Sequence, residues 1–292
     1  MGASHTQQTM PELPEVETVV RGLRAVLPGR RILDVRLGKT DFIEDPAAIE
    51  RQLPGSRIAE VRRYGKFLVI DLEASDRGAA NYSLLVHLGM TGQLVTCLPE
   101  SRVAPHTHVF LALDDGRELR YTDIRRFGSM RILDDGEHET VLGGLGLDPL
   151  EVTKKQFVAI LKTRRARIKS MLLDQSVLRG IGNIYADESL WRAKIHPMRL
   201  GANLTAEEAR RLHRAVQHVL NQAIRLRGSS VSDYVDSNGE RGGFQQRHRA
   251  YQRHGKKCFR CGTLIRRAIV AGRSSHFCPR CQPAPRNRGV KR

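Results

Sequence analysis

Two Cys-x-x-Cys pairs near the C-terminus, Cys258–Cys261 and Cys278–Cys281, stand 16 residues apart. Each pair sets two thiolates on one tight turn, and two such turns close a tetrahedron around one Zn²⁺. Four protein ligands leave no coordination position for water, so the metal is structural and a small module must fold around it. The residues between the pairs, 264–274, read as a β-hairpin whose basic side chains can meet phosphates. A disulfide framework would not show this spacing, which points to a reducing compartment. The fifth cysteine, Cys97, stands alone and reads as a small hydrophobe.

The segment carrying the knuckles is strongly basic. From Arg241 to Arg292 there are 15 Lys and Arg residues and no Asp or Glu. Over all 292 residues, 49 basic against 31 acidic side chains give +18. Such a field concentrates a polyanion, so nucleic acid is the first partner to consider and an anionic membrane surface the second. No stretch approaches the roughly 20 apolar residues of a membrane span. The N-terminus lacks the charged and apolar regions of a secretory signal.

Residues 1–9 are small and polar and read as a disordered leader or a start assigned too early; Met10 follows. Residues 15–27 predict a helix, with Val16, Val19, Val20, Leu23, Val26 and Leu27 on one face and Pro28–Gly29 as the stop. Eight short alternating segments follow, at 33–37, 58–63, 67–72, 83–88, 93–96, 109–113, 118–121 and 130–133, and suggest a β-sandwich. After about residue 146 the period becomes helical, at 156–162, 168–173 and 183–194. A further helix opens on a Thr205–Glu208 capping box, carries a Leu212, Val216, Val219, Ala223, Leu226 stripe and stops at Gly228. Residues 229–255 are polar and glycine-bearing and read as a long mobile loop.

From Met10 the chain reads Pro-Glu-Leu-Pro-Glu-Val-Glu at 11–17, then YGKFL at 64–68, HLGMTG at 87–92, TDIRRFG at 122–128 and GIGNIYADE at 180–188. With the four cysteines and Arg273, these stretches resemble the bacterial formamidopyrimidine-DNA glycosylases, which remove 8-oxoguanine, from Met10 to Gln282. The resemblance implies an α+β chain: an N-terminal β-sandwich at 10–146, a helix–two-turn–helix domain at 147–228, a lesion-capping loop and linker at 229–255, a four-cysteine zinc finger at 256–284 and a basic tail at 285–292. It implies a bifunctional glycosylase and abasic-site lyase with one structural Zn²⁺. The partner is double-stranded DNA containing oxidised bases or abasic sites, with no membrane. The protein is expected to be a monomer in the bacterial cytoplasm, on the nucleoid.

The resemblance also assigns residues. Pro11, freed of its initiator methionine, would be the amine nucleophile, since an α-amino group with a pKa of about 7.7–8.0 is partly unprotonated near neutral pH. Glu12 would be the general acid/base; read on its own, it is a first-turn acid favoured by the helix dipole. Glu15 divides between site and cap. Lys66, His87, Asn183 and Arg273 would hold phosphates. Met90 would fill the space a flipped base vacates, Phe127 would wedge the stack, and Arg125 would pair with the estranged base. Ser229 and Ser230 would contact the lesion. Tyr185 and Glu188 share a helix with Asn183 and read equally as core. Two rivals stand beside this reading: an endonuclease VIII-type enzyme for oxidised pyrimidines, disfavoured by Leu13, Phe127 and HLGMTG, and a non-catalytic zinc protein if Pro11 remains an amide.

Overall fold

A computed structural model describes residues 10–74, 81–134, 136–231 and 233–285. The leader at 1–9 and most of the basic tail lie outside the described residues. The chain divides into two compact units, Met1–Gly144 with Ala223–Gln245 and Leu145–Gln222 with Gln246–Arg292.

The first unit is the β-sandwich. Its strands are β1 (Ile32–Leu37), β2 (Arg57–Tyr64), β3 (Phe67–Glu73), β4 (Tyr82–His87), β5 (Gln93–Cys97), β6 (Thr107–Leu113), β7 (Glu118–Thr122) and β8 (Ser129–Asp134). They form two antiparallel four-stranded sheets, ordered β1-β6-β7-β5 and β2-β3-β4-β8. Alternation puts Val109, Leu111 and Leu113 of one sheet and Leu68, Ile70 and Leu72 of the other into a common core. Helix α1 (Leu13–Arg24) adds Val16, Val19, Val20 and Leu23 to that core. It starts earlier than its apolar stripe because Glu15 closes back on the Glu12 N–H at 2.9 Å. Glu17 binds Arg21 and Arg63 at 2.8 Å each and so ties α1 to β2.

Two short helices escape the periodicity, α2 (Pro46–Gln52) and α3 (His138–Leu142). Helix α2 is announced by its cap, since Asp45 Oδ1 accepts the Ala48 N–H at 3.0 Å and Pro46 follows directly. Residues 229–231 and 233–245 of the expected 229–255 loop belong to this unit. Tyr234 is buried in the sandwich core, and a short 3₁₀ turn spans Phe244–Arg247. Its polar composition conceals this, because its polar groups are satisfied locally; Asp236 Oδ1, for one, accepts the Asn238 and Glu240 N–H groups at 3.0 Å.

The second unit holds α4 (Lys154–Thr163), α5 (Ile168–Leu173), α6 (Asn183–Ala193) and most of α7 (Ala206–Arg225), followed by the β9 (Arg266–Val270) and β10 (Arg273–Phe277) hairpin. The Thr205–Glu208 capping box forms, with reciprocal bonds of 2.8 and 3.1 Å. Gly228, at φ +77°, ends the chain's turn after α7 by donating to Ala223 O. Among the described residues no helix is long and apolar enough to cross a membrane.

Candidate active site

In the first unit the start of α1 is buried: Pro11, Glu12 and Glu15 all lie out of solvent. Glu15 accepts the Glu12 N–H and, through Oε1, the Ser229 N–H at 2.7 Å. The Tyr234 hydroxyl donates to Glu15 O at 3.2 Å. Glu15 is therefore a cap and a tether at once: it fixes the backbone that bears Pro11 and Glu12 against the 228–234 segment. Ser229 and Ser230 are buried, and the groups described for them are engaged within the unit. The Ser230 N–H donates to Gln245 Oε1 at 3.1 Å, and its hydroxyl donates to Tyr234 O at 2.7 Å.

Lys66 sits on the two-residue turn Gly65–Lys66 that joins β2 to β3, where Tyr64 pairs with Phe67. Across the next register, Phe67 pairs with His87, and their rings meet at 5.0 Å. Burial, with the Lys66 charge beside it, pushes the His87 imidazole down to about 4. Its Nδ1 accepts the Gly89 N–H at 3.1 Å, which leaves the proton of the neutral ring on Nε2 as a donor.

Met90 tops the turn that follows β4, which closes through the Gly92 N–H to Leu88 O at 2.8 Å. Leu88 and Thr91 point inward and are buried, while Met90 is half-buried. On the neighbouring loop, Phe127 is 56% exposed and carries the Arg125 guanidinium over its ring at 4.4 Å. A core role for Phe127 is thereby excluded. Between them, Arg126 pairs with Asp41 at 3.2 Å. The first unit thus holds Pro11, Glu12, Lys66, His87, Met90, Arg125, Phe127, Ser229 and Ser230, and the second holds Asn183, Arg273 and the four cysteines.

In the second unit Asn183 opens α6, and its Oδ1 is buried with no hydrogen-bond partner among the described residues. Arg273 is exposed at the head of β10, after a two-residue turn, Ala271–Gly272, with both φ angles positive. A buried polar cluster, not foreseen from the sequence, holds this hairpin. The Lys169 ammonium binds Asp187 Oδ1 at 2.6 Å and Ser274 O at 2.7 Å, and Asp187 Oδ2 accepts the His276 N–H at 2.8 Å. Its one sequence sign is a lysine inside the apolar run of α5. Glu188 accepts the backbone N–H groups of Arg249, Ala250 and Tyr251 at 2.8–3.0 Å. Burial pushes its carboxyl up to about 7, against the pull of those donors. Tyr185 is core.

The ligand atoms of Cys258, Cys261, Cys278 and Cys281 lie within 4.8 Å of one another. A tetrahedron with Zn–S bonds of about 2.3 Å has edges of about 3.8 Å, and Cys261 Sγ lies 3.4 Å from the sulfurs of both Cys278 and Cys281. Trp191 Nε1–H points at Cys258 Sγ at 3.5 Å, and the Cys281 N–H points at Cys278 Sγ at 3.4 Å, as donors that favour thiolates. The residues fit one tetrahedral zinc.

Three family profiles match in order along the chain: the formamidopyrimidine-DNA glycosylase N-terminal domain at 10–130, the formamidopyrimidine-DNA glycosylase H2TH domain at 145–235, and the zinc finger found in FPG and IleRS at 255–284. The formamidopyrimidine-DNA glycosylase of Solibacter usitatus is 46% identical over 94% of this chain and 99% of its own. The crystal structure of the MutM (FPG) protein from Thermus thermophilus is 42% identical, with a TM-score of 0.80 over 93% of this chain and 98% of that one. Structures of the Lactococcus lactis protein are 32% identical, with TM-scores of 0.84, over 94% of this chain and 100% of theirs. One is a point mutant in complex with Fapy-dG-containing DNA, and another is in complex with DNA containing an abasic site.

Proposed function

The chain belongs to the formamidopyrimidine-DNA glycosylase family, and on that premise we propose that Pro11, Glu12, Lys66 and Arg273 carry its reaction on chromosomal DNA in the cytoplasm. The protein is a base-excision repair enzyme, a DNA glycosylase for oxidised purines with abasic-site lyase activity. Its partner is DNA containing such lesions, and its cofactor is one structural zinc.

The observation that carries the residue assignment is the buried start of α1, where Pro11 and Glu12 lie out of solvent and the Glu12 N–H is held by Glu15. A free Pro11 nitrogen attacks the sugar C1′. The bond from C1′ to the base breaks, and its electron pair leaves with the base. Glu12 supplies the proton that the departing base takes up and, recharged by the proton that the Pro11 nitrogen sheds, protonates the sugar ring oxygen as the C1′–O4′ bond breaks, which opens the ring and leaves C1′ doubly bonded to the Pro11 nitrogen. The resulting iminium acidifies C2′, and loss of that proton expels the 3′ phosphate. A second elimination expels the 5′ phosphate and leaves a gap with phosphate ends. Lys66 and the neutral His87 donate to phosphates on one unit, and Arg273 and Asn183 do so on the other.

Salt dependence separates these donors. Each neutralised phosphate contributes about −0.9 to the log–log slope of affinity against salt. Lys66→Ala and Arg273→Ala are each expected to make the slope shallower by about that much, on lesion and abasic-analogue duplexes alike. His87→Ala is expected to weaken binding with the slope unchanged, because the ring is uncharged above about pH 5. Fluorescence anisotropy over a salt series reads all three, and a Lys66 or Arg273 variant that altered only lesion choice would refute its phosphate contact.

The reading-head roles have their own test. Extruding a base costs a few kcal/mol, which a void filler and a wedge offset, whereas an abasic nucleotide has no base to extrude. Met90→Ala and Phe127→Ala are therefore expected to slow 8-oxoguanine excision from duplex about tenfold or more, an offset of about 1.4 kcal/mol, while sparing cleavage of a preformed abasic site. Equal losses on both substrates in single-turnover assays would make the two residues structural.

A further inference from the structure

We propose that Asp123 and Thr91 are positioning residues that lock the Met90 turn and the Arg125–Phe127 loop into one rigid reading head. Void filling and wedging then occur as a single event. The proposal rests on the roles given above to Met90, Arg125 and Phe127, and adds the residues that couple them.

The two loops are far apart in sequence and joined at one buried point. Asp123 is 0% exposed and Thr91 3%. The Thr91 hydroxyl donates to Asp123 Oδ1. The Arg125 N–H is shared between Thr91 Oγ1 at 3.1 Å and Asp123 Oδ1 at 3.2 Å. On the other oxygen, Asp123 Oδ2 accepts the Gly128 N–H at 2.9 Å and the Tyr121 hydroxyl at 3.2 Å. Burial and the Asp123 charge hold the Tyr121 phenol far above its ordinary range, so it remains a donor. The carboxylate thus satisfies donors from both ends of the Arg125–Phe127 loop and from the neighbouring turn. Buried charge-assisted bonds of this kind fix geometry, because a missing partner leaves a buried group unsatisfied.

Backbone packing closes the same joint. A Cβ on Gly89 would come within 2.4 Å of Phe127 C and Gly128 N, so the two loops touch main chain to main chain. Arg126, between the two reading residues, takes a left-handed φ of +53° and is paired with Asp41. The Gly89 backbone next to Met90 is thus in close contact with the Phe127–Gly128 backbone. A reading head that must insert two groups into a duplex at once needs this stiffness, since a loosely held group loses its advantage within about an ångström.

Thr91→Val keeps the side chain's shape and removes the coupling hydroxyl; Thr91→Ser keeps the hydroxyl. Single-turnover excision of 8-oxoguanine from duplex is expected to fall about tenfold in Thr91→Val, the factor for one charge-assisted hydrogen bond. Cleavage of a preformed abasic site should stay within about threefold, and Thr91→Ser should restore excision. The losses from Met90→Ala and Phe127→Ala should be non-additive with Thr91 present and additive in Thr91→Val. Equal loss on both substrates in Thr91→Val, or no rescue by Thr91→Ser, overturns the proposal. If Met90→Ala and Phe127→Ala are themselves unselective, the reading-head roles fall. If they are selective and Thr91→Val is not, those roles stand and the coupling alone falls.

Discussion

Protein whose first residue is Pro11 is expected to be trapped covalently by borohydride on 8-oxoguanine duplex, and protein in which Met10 still acylates Pro11 is not. The difference is all or none in principle. An amide nitrogen shares its lone pair with the carbonyl, and an acylated proline carries no N–H. Neither can form the iminium that borohydride reduces. A free secondary amine has a pKa of about 7.7–8.0, so a useful fraction is nucleophilic near neutral pH. The family match begins at residue 10, directly before this proline. Pro11→Gly keeps an amine at the same place and should alter trapping without abolishing it. Intact mass of the trapped species decides the matter: efficient trapping by protein that retains residues 1–10 would remove Pro11 from the chemistry and point to an internal lysine.

Loss of the zinc site is expected to have the next largest effect. Structural zinc contributes about 10–16 kcal/mol of folding free energy in small modules. Here Trp191, Ala250 and Ile265 pack directly on Cys258 and Cys278, so the metal organises the module's small apolar core. Cys258→Ser or Cys278→Ser should unfold the finger, release Arg273 from its place and lower DNA affinity by about a hundredfold or more, on the scale of several lost phosphate contacts. The sandwich has its own core and should survive, which circular dichroism can follow. One equivalent of zinc per chain is expected in the native protein. Less than half an equivalent with DNA binding intact would refute the assignment.

The eight strands were legible because alternation is a two-residue signal that short segments still carry; β1 to β8 fall within two residues of their expected bounds. The capping box at Thr205 was legible for a local reason, since its partners are three residues apart. Helices α2 and α3, of seven and five residues, are too short for a 3.6-residue period to register. The hydrogen bonds of Ser230 and Asp236 within the 229–255 stretch are not legible in sequence, because Ser, Asn and Asp look alike whether they face water or satisfy a buried turn. The site divides the same way. Cys258, Cys261, Cys278 and Cys281 could be found by spacing. Glu15 holding Ser229, and Asp123 holding Thr91, join residues 214 and 32 positions apart, and only folding brings them together.

The Lys169–Asp187 pair sets what salt can and cannot undo. Its side chains are 0% and 1% exposed. The Debye length falls from about 10 Å at 0.1 M to about 3 Å at 1 M, and that screening acts through mobile ions that do not enter a dry interior. The phosphate contact proposed for Arg273 should fade over this range, while the clasp from Lys169 to the neighbouring Ser274 O should not. A concentrated salt wash should therefore strip the protein from DNA as an intact molecule, and dilution alone should return it to the duplex with its hairpin already in place.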